Sequence, residues 1–264
     1  MLTNVNSDRR KRVAGLARPA ERAKSGLVLV EGPAACREAA RSGLLVDLYL
    51  SADAARRLPE VPDSVEAAGG YLHECSPEYV AAISAAAQGA VGVARDPWFG
   101  EGAAGWLAGA GQISLVAVFE QIRDPGNAGT AIRAADAAGA NAVVFTDGSV
   151  DPTAPKVIRS SVGSYFHLPV LRGGAAEELV GELRAAGLRV LAADAAGPTP
   201  LPEADLTVPT AWLFGNETAG LSQAAGAQAD QVVAIPIYGQ AESLNLAMAA
   251  TVCLYASAQA HRGR

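Results

Sequence analysis

The sequence predicts an α/β chain in two parts, on three observations. Short runs rich in Val, Ile and Leu recur between residues 114 and 237, as the strands of a buried parallel sheet require. Helical stretches lie between most of these runs, the alternation that covers a parallel sheet on both faces. A smaller set of strand-like and helix-like segments fills the first 95 residues, cut off by the Pro-, Gly- and Trp-bearing stretch DPWFGEGAAGWLAGAG at 96–111. With 264 residues, 50% of them hydrophobic and 18% charged, the chain is long and apolar enough to build ample core.

In chain order, LVLVEG (27–32) reads as a strand. PAACREAARSG follows as a helix, opened by Pro33 and stopped by Gly43. LLVDLYLS (44–51) and YLHECS (71–76) are further strands, and SPEYVAAIS (76–84) is a helix capped by Ser76. This first domain spans 1–95. Residues 96–111 form a linker whose Trp98 and Trp106 pack onto a neighbour, and 112–264 is the second domain. Its strands are expected in SLVAVFE (114–120), NAVVFTD (141–147), HLPVL (167–171), LRVLAAD (188–194), AWLFGNE (211–217) and QVVAIPI (231–237). Helices are expected over 127–138, about 153–162, 174–186 and 243–260. Ligands of such folds sit beyond the carboxyl ends of the strands. The informative loops therefore follow residues 119, 147, 171, 194, 214 and 235.

Charge and motif searches exclude several classes. The net charge of −6 hides an asymmetry. Residues 1–24 carry Arg9, Arg10, Lys11, Arg12, Arg18, Arg22 and Lys24 against Asp8 and Glu21, a net +5, so the remainder stands at −11. A basic arm on an acidic body suits RNA phosphates, since the electrostatic footprint is a patch; a solvated tail explains the charge equally well. No apolar run approaches the roughly 20 residues needed to span a bilayer. Cys36, Cys75 and Cys253 have neither metal-ligand spacing nor an even disulfide count, which fits a reducing, cytoplasmic address with no metal. No Gly-x-Gly-x-x-Gly fingerprint follows a strand, no P-loop or Gly-x-Ser-x-Gly elbow occurs, and His73, His167 and His261 lie apart.

Three polar clusters follow three strands of the second domain. Asp124-Pro125-Gly126-Asn127 can cap a helix whose Ala131, Ala134, Ala135 and Ala138 form a minimal apolar stripe, with Arg133 well off it. In GNETAGLS (215–222), Gly215 lets a backbone pass close to a ligand, and Glu217 stands on an otherwise neutral loop. In IPIYGQAESLNLAMAA (235–250), Ser243 alone serves as a helix cap. Asn245 is then surplus, with poor helix propensity. Singly, each cluster has a bland explanation; together they make a case for one shared site.

DPGNAGTAIRAADAAGA, LFGNETAGLS and IPIYGQAESLNLAMAA resemble, in order and spacing, the three motifs of the SpoU/TrmH family of RNA ribose 2′-O-methyltransferases, of the SPOUT class. VIRSSVGSYFHLPV (157–170) is similar to the family's segment between the first two motifs. LVLVEGPAACREAARSG is similar to the start of the ribosomal-protein-L30e-like RNA-binding domain that many members carry. The resemblance implies a C-terminal parallel-sheet SPOUT domain with a trefoil knot, an exception among folds, and S-adenosylmethionine as cofactor. Backbone groups at Gly215, Ile235 and Leu244 are implied to bind it. Arg133 is implied as the central catalytic residue, with Asn127, Glu217, Ser243 and Asn245 around it. Arg159 matches an RNA-associated arginine, and Arg9, Arg10, Lys11 and Arg12 are the expected RNA contacts of the arm. The family is dimeric. Ribosomal RNA, and 23S RNA first, is the favoured substrate, with transfer RNA as the alternative. A non-catalytic RNA-binding protein on the same scaffold is the rival of another class, and a nicotinamide dehydrogenase trails for want of a phosphate loop.

Overall fold

The structure is a computed structural model that describes residues 1–263. It divides into two compact units, the first built from Met1–Phe99 and Asp151–His167, the second from Gly100–Val150 and the chain from Leu168 onward.

The chain opens with α1 (Asp8–Gly15) and α2 (Pro19–Ser25), then β1 (Leu27–Glu31), α3 (Pro33–Arg41), β2 (Leu45–Ser51), α4 (Ala52–Arg57), α5 (Val61–Ala67), β3 (Tyr71–Cys75), α6 (Pro77–Ile83) and β4 (Ala90–Arg95). Beyond Gly100 come α7 (Ala103–Gly109), β5 (Leu115–Phe119), α8 (Pro125–Ala138), β6 (Ala142–Phe145), α9 (Pro155–Ser160) and β7 (Val170–Arg172). The rest is α10 (Ala176–Ala185), β8 (Arg189–Ala193), β9 (Thr199–Pro200), β10 (Thr210–Phe214), α11 (Gln223–Gln228), β11 (Gln231–Ala234) and α12 (Leu246–Arg262).

In the first unit the sheet order is β1-β4-β2-β3, with β4 antiparallel to both neighbours and β2 parallel to β3. The basic arm is no tail. Ser7 caps α1 by accepting from the Arg10 amide, and Val13 and Leu16 are buried in a core shared with Leu29, Tyr49, Val80 and Val91. Arg22 is only 4% exposed, pairing with Asp151 at 2.5 Å and donating to Thr153 Oγ1 and to the carbonyls of Leu16 and Ala17. Two apolar residues therefore anchor a helix whose composition reads as solvated. Strand β4, AVGVAR, escapes sequence patterning because of its central Gly92; packing demands that glycine, since a Cβ there would lie 2.6 Å from Leu45 Cδ2.

The segment 151–167, expected in the second domain, clusters with the first unit. Helix α9 packs on β1, Arg159 pairs with the buried Glu31, and Tyr165 donates its hydroxyl hydrogen to Asp96 at 2.7 Å. These contacts join residues far apart in sequence. The expected linker is also partly helical: α7 buries Ala103 and Leu107, and Trp106 packs on the second unit's core. Trp98 donates its indole N–H to the Tyr165 carbonyl.

In the second unit seven strands form one sheet in the order β7-β6-β5-β10-β8-β11-β9, every pairing parallel. All carboxyl ends thus lie along one edge. The alanine stripe of α8 is buried, and α8 packs on α12, where Ala247, Ala250 and Cys253 keep the contact surface small. Ser257 of α12 accepts a hydrogen bond from the Trp212 indole at 2.9 Å, tying the last helix to β10. No helix among the described residues is long and apolar enough to cross a membrane.

Candidate active site

Three loops after strand ends of the second unit converge on a chain of hydrogen bonds. After β5, Asp124 caps α8 by accepting from the Asn127 amide at 2.8 Å, which places the Asn127 side chain at the start of the helix. Asn127 Nδ2 donates to Glu217 Oε1 at 3.1 Å, in the loop after β10. Asn245 Nδ2, at the start of α12, donates to Asn127 Oδ1 at 3.0 Å. Positions 90 and 118 residues apart from Asn127 thereby share one side chain.

Asn245, not Ser243, is the N-cap of α12. Its Oδ1 accepts from the amides of Ala247 at 3.0 Å and Met248 at 3.4 Å, and its backbone is non-helical, with φ −54° and ψ 143°. The apparent surplus is resolved: one amide group caps the helix with its oxygen and reaches Asn127 with its nitrogen. Ser243 is left free for another role on the pocket wall.

The loop after β10 is held by a residue that motif reading passed over. Asn216 Oδ1 accepts from the Thr218 and Ala219 amides, a local turn. Its Nδ2 donates to the Gln121 carbonyl at 2.7 Å, which stitches the β10 loop to the β5 loop. Its turn-forming residue type and its place directly after Gly215 were the available signal. Gly215 itself is buried, and a Cβ there would lie 2.1 Å from the Gly220 carbonyl carbon and the Leu221 nitrogen. The backbone that passes close to Gly215 is the chain's own returning loop.

Beside these loops a pocket of about 120 Å³ is lined by Ile235, Ile237, Ser243 and Leu244 from the stretch before α12, with Val233 and Ala249. Its remaining wall is Ala193, the last residue of β8, with Asp194 and Ala195 that follow it. Two of the three expected cofactor positions, Ile235 and Leu244, line it; Gly215 does not. Asp194, its one acidic residue, was not singled out from the sequence, although the loop carrying it was. Arg133 is exposed on α8.

The expected RNA contacts divide. Arg9, Lys11 and Arg12 are exposed on α1. Arg10 is turned onto the protein, donating to the carbonyls of Val5 at 2.7 Å and Ala82 at 3.3 Å, so it braces the fold. Arg159 is held by Glu31, which also accepts from Ser84 Oγ at 2.5 Å.

A parallel α/β unit with polar loops at three strand ends beside an apolar pocket is the arrangement of a ligand site beyond the carboxyl ends of the strands. Residues 114–255 match the family model described as the SpoU rRNA Methylase family, and this chain belongs to that family. The 23S rRNA (guanosine(2553)-2′-O)-methyltransferase RlmP of Bacillus subtilis (strain 168) is 32% identical over 242 residues, covering 89% of this chain and 90% of its own length. The 23S rRNA (uridine(2479)-2′-O)-methyltransferase of Streptomyces viridochromogenes is 42% identical over 146 residues, 53% of this chain and 51% of its own length. Among solved structures, the AdoMet-bound rRNA methyltransferase from Sinorhizobium meliloti superposes with a TM-score of 0.84 at 27% identity, covering 98% of this chain and 97% of that one.

Proposed function

We propose that this protein methylates a ribose 2′-hydroxyl of RNA, 23S ribosomal RNA first, using S-adenosylmethionine. The observation that carries the reading is the Asn245–Asn127–Glu217 chain beside the Ile235/Ser243/Leu244 pocket. The pocket's lining suits one end of the cofactor, which at about 120 Å³ is as much as it holds: Val233, Ile235 and Leu244 offer apolar surface for a purine, and Asp194 and Ser243 offer polar partners for hydroxyl and amino groups. When bound, S-adenosylmethionine supplies an electrophilic sulfonium methyl. The names of the full-length Bacillus relative and of the AdoMet-bound neighbour support both substrate class and cofactor.

A ribose hydroxyl is a weak nucleophile until its proton is drawn away. A guanidinium has donors and no acceptor for that proton, which leaves Arg133 a different part. Its role is to clamp the phosphate beside the target ribose and to stabilise the developing alkoxide through charge-assisted hydrogen bonds. Asn127, whose side chain has two partners, and Asn245, whose side chain has three, position the ribose, and Glu217 completes the polar wall. Ser243 forms the join between this wall and the cofactor pocket.

The working unit is a homodimer. Met248, Val252 and Tyr255 are 41–55% exposed and recur at helical spacing along one side of α12. Tyr238, just ahead of the helix, is 92% exposed. Such a stripe asks for a cover, and a second copy of the same stripe provides one through a self-complementary two-fold contact. Met248→Glu should convert the protein to a monomer in light scattering; an unchanged mass would remove this face from the interface.

The test of function uses purified protein, radiolabelled S-adenosylmethionine and total RNA from a strain lacking the gene. Label in an alkali-resistant dinucleotide of 23S RNA is the expected result. Label in transfer RNA instead would shift the substrate, and cofactor binding without transfer to RNA or to assembled ribosomal subunits would overturn the enzyme reading.

A further inference from the structure

The first unit carries a second recess, about 550 Å³, at the uncovered end of its sheet. Helices α1 and α6 cover most of this sheet face with Val13, Leu16, Tyr79 and Val80. They leave open the end where β3 begins. There Tyr71 stands opposite Asp47 in the strand register and His73 opposite Tyr49, so all four share one face. Arg9 and Arg12 of α1 form the facing wall, and Val93 lies in the floor.

The polar groups are arranged in advance. His73 Nε2 donates to Asp47 Oδ1 at 2.5 Å, and the His73 ring stacks on Tyr49 with centroids 4.6 Å apart. Arg9 Nη1 lies 3.1 and 3.4 Å from the two ring nitrogens. With Nε2–H committed to Asp47, the guanidinium contacts the ring as a whole. Glu21, on the opposite rim, is engaged by Arg18 at 3.3 Å, which leaves Arg12 as an exposed positive charge over the recess. Tyr71 is 67% exposed, a large aromatic residue presented to solvent on an edge strand.

We propose that this recess is a groove for one unpaired nucleotide of the RNA substrate, its base laid on Tyr71 and its phosphate held by Arg12. The proposal rests on RNA being the substrate class. A volume of this size suits a nucleotide. A free aromatic face with guanidinium groups alongside is the chemistry that takes unstacked bases, whereas duplex RNA offers no free base face. The edge strand is not free for an added peptide strand along its length: the Leu2 amide donates to the Glu74 carbonyl at 2.6 Å, and the Ser76 amide donates to the Leu2 carbonyl at 2.9 Å. Asp47 and Arg9 then face the base edge, an acceptor and a donor side by side.

The test measures binding of the full chain to two fluorescein-labelled probes, a mixed-sequence single strand and a blunt duplex, each about 12 nucleotides long. Tyr71→Ala should weaken single-strand binding about tenfold, while Tyr71→Phe, which keeps the ring, restores it. Duplex binding should not change. Arg12→Ala should lower the slope of log affinity against log salt by about one, and Tyr71→Ala should leave that slope alone. Equal single-strand affinity for wild type and Tyr71→Ala, or equal losses on both probes, would overturn the groove. Label transfer from S-adenosylmethionine is followed with the same proteins. Tyr71-dependent binding without any transfer by wild type would sink the enzyme reading and leave the groove standing; normal transfer with Tyr71-independent binding would remove the groove alone.

Discussion

Asn245 carries two jobs on one amide, and substitutions can separate them. In Asn245→Ala the Oδ1 acceptor of the Ala247 and Met248 amides is lost, a cap deletion that costs about 1 kcal/mol. The Nδ2 bond to Asn127 is lost as well, and because Asn245 is exposed that bond contributes only about 0.5–1 kcal/mol net. The sum is about 1.5–2 kcal/mol, equivalent to a fall in melting temperature of roughly 3–8 °C for a chain of this size. Asn245→Ser keeps an oxygen that caps well but has no group that reaches Asn127. It should therefore recover most of the melting temperature while Asn127 loses its fixed orientation. In single-turnover methyl transfer with saturating cofactor, both variants are expected at least tenfold slow, in line with a lost positioning contact. The paired assay is differential scanning fluorimetry beside rapid-quench transfer of labelled methyl groups. Recovery of both stability and rate in Asn245→Ser would refute the reasoning, because it would show that the cap alone explains the residue.

Arg133→Ala should retain its melting temperature, since an exposed residue off the packed stripe changes stability by no more than about 0.5 kcal/mol; near-normal turnover would remove it from the site. Gly215→Ala forces a Cβ to within 2.1 Å of the Gly220–Leu221 backbone. It should cost about 1–3 kcal/mol or more in urea unfolding, whereas an unchanged midpoint would show that the returning loop can move aside. Burial pushes the Cys36 and Cys253 thiols up to about 12 and Cys75 up to about 11, from an ordinary 9.0. Below pH 9 the thiols are protonated in folded and unfolded chains alike. Between pH 9 and 12 the unfolded chain ionises first, so stability falls as pH rises through that window. Urea midpoints at pH 8 and pH 10.5 should show the drop. A thiol-reactive chromogen at pH 8 should label the unfolded chain and spare the native one.

What was legible in the sequence follows the range of the physics involved. The second unit's strands could be read because a parallel sheet covered on both faces demands local apolar runs, and the chain supplies them. That Asn127, Glu217 and Asn245 would meet was legible only as three polar clusters after strand ends, since a parallel sheet brings such ends to one edge. Their bonds were not, because Asn127 and Asn245 are separated by 118 residues and no local pattern encodes the pair. The cap of α12 failed for a different reason: Ser243 and Asn245 are both good caps, and tertiary contacts with α8 decide where the helix starts. Helix α1 failed because its basic run masks an anchor of only Val13 and Leu16. The 151–167 segment failed because its attachment rests on Glu31, Asp96 and Arg22, chosen by the fold and invisible to periodicity. The candidate site was therefore most legible where the signal is local, in glycines and asparagines at strand ends. It was least legible where charge looks like solvation: Arg10 and Arg22, part of the same basic run as Arg9 and Arg12, turn inward to hold the fold, and their outward neighbours alone remain available to a phosphate.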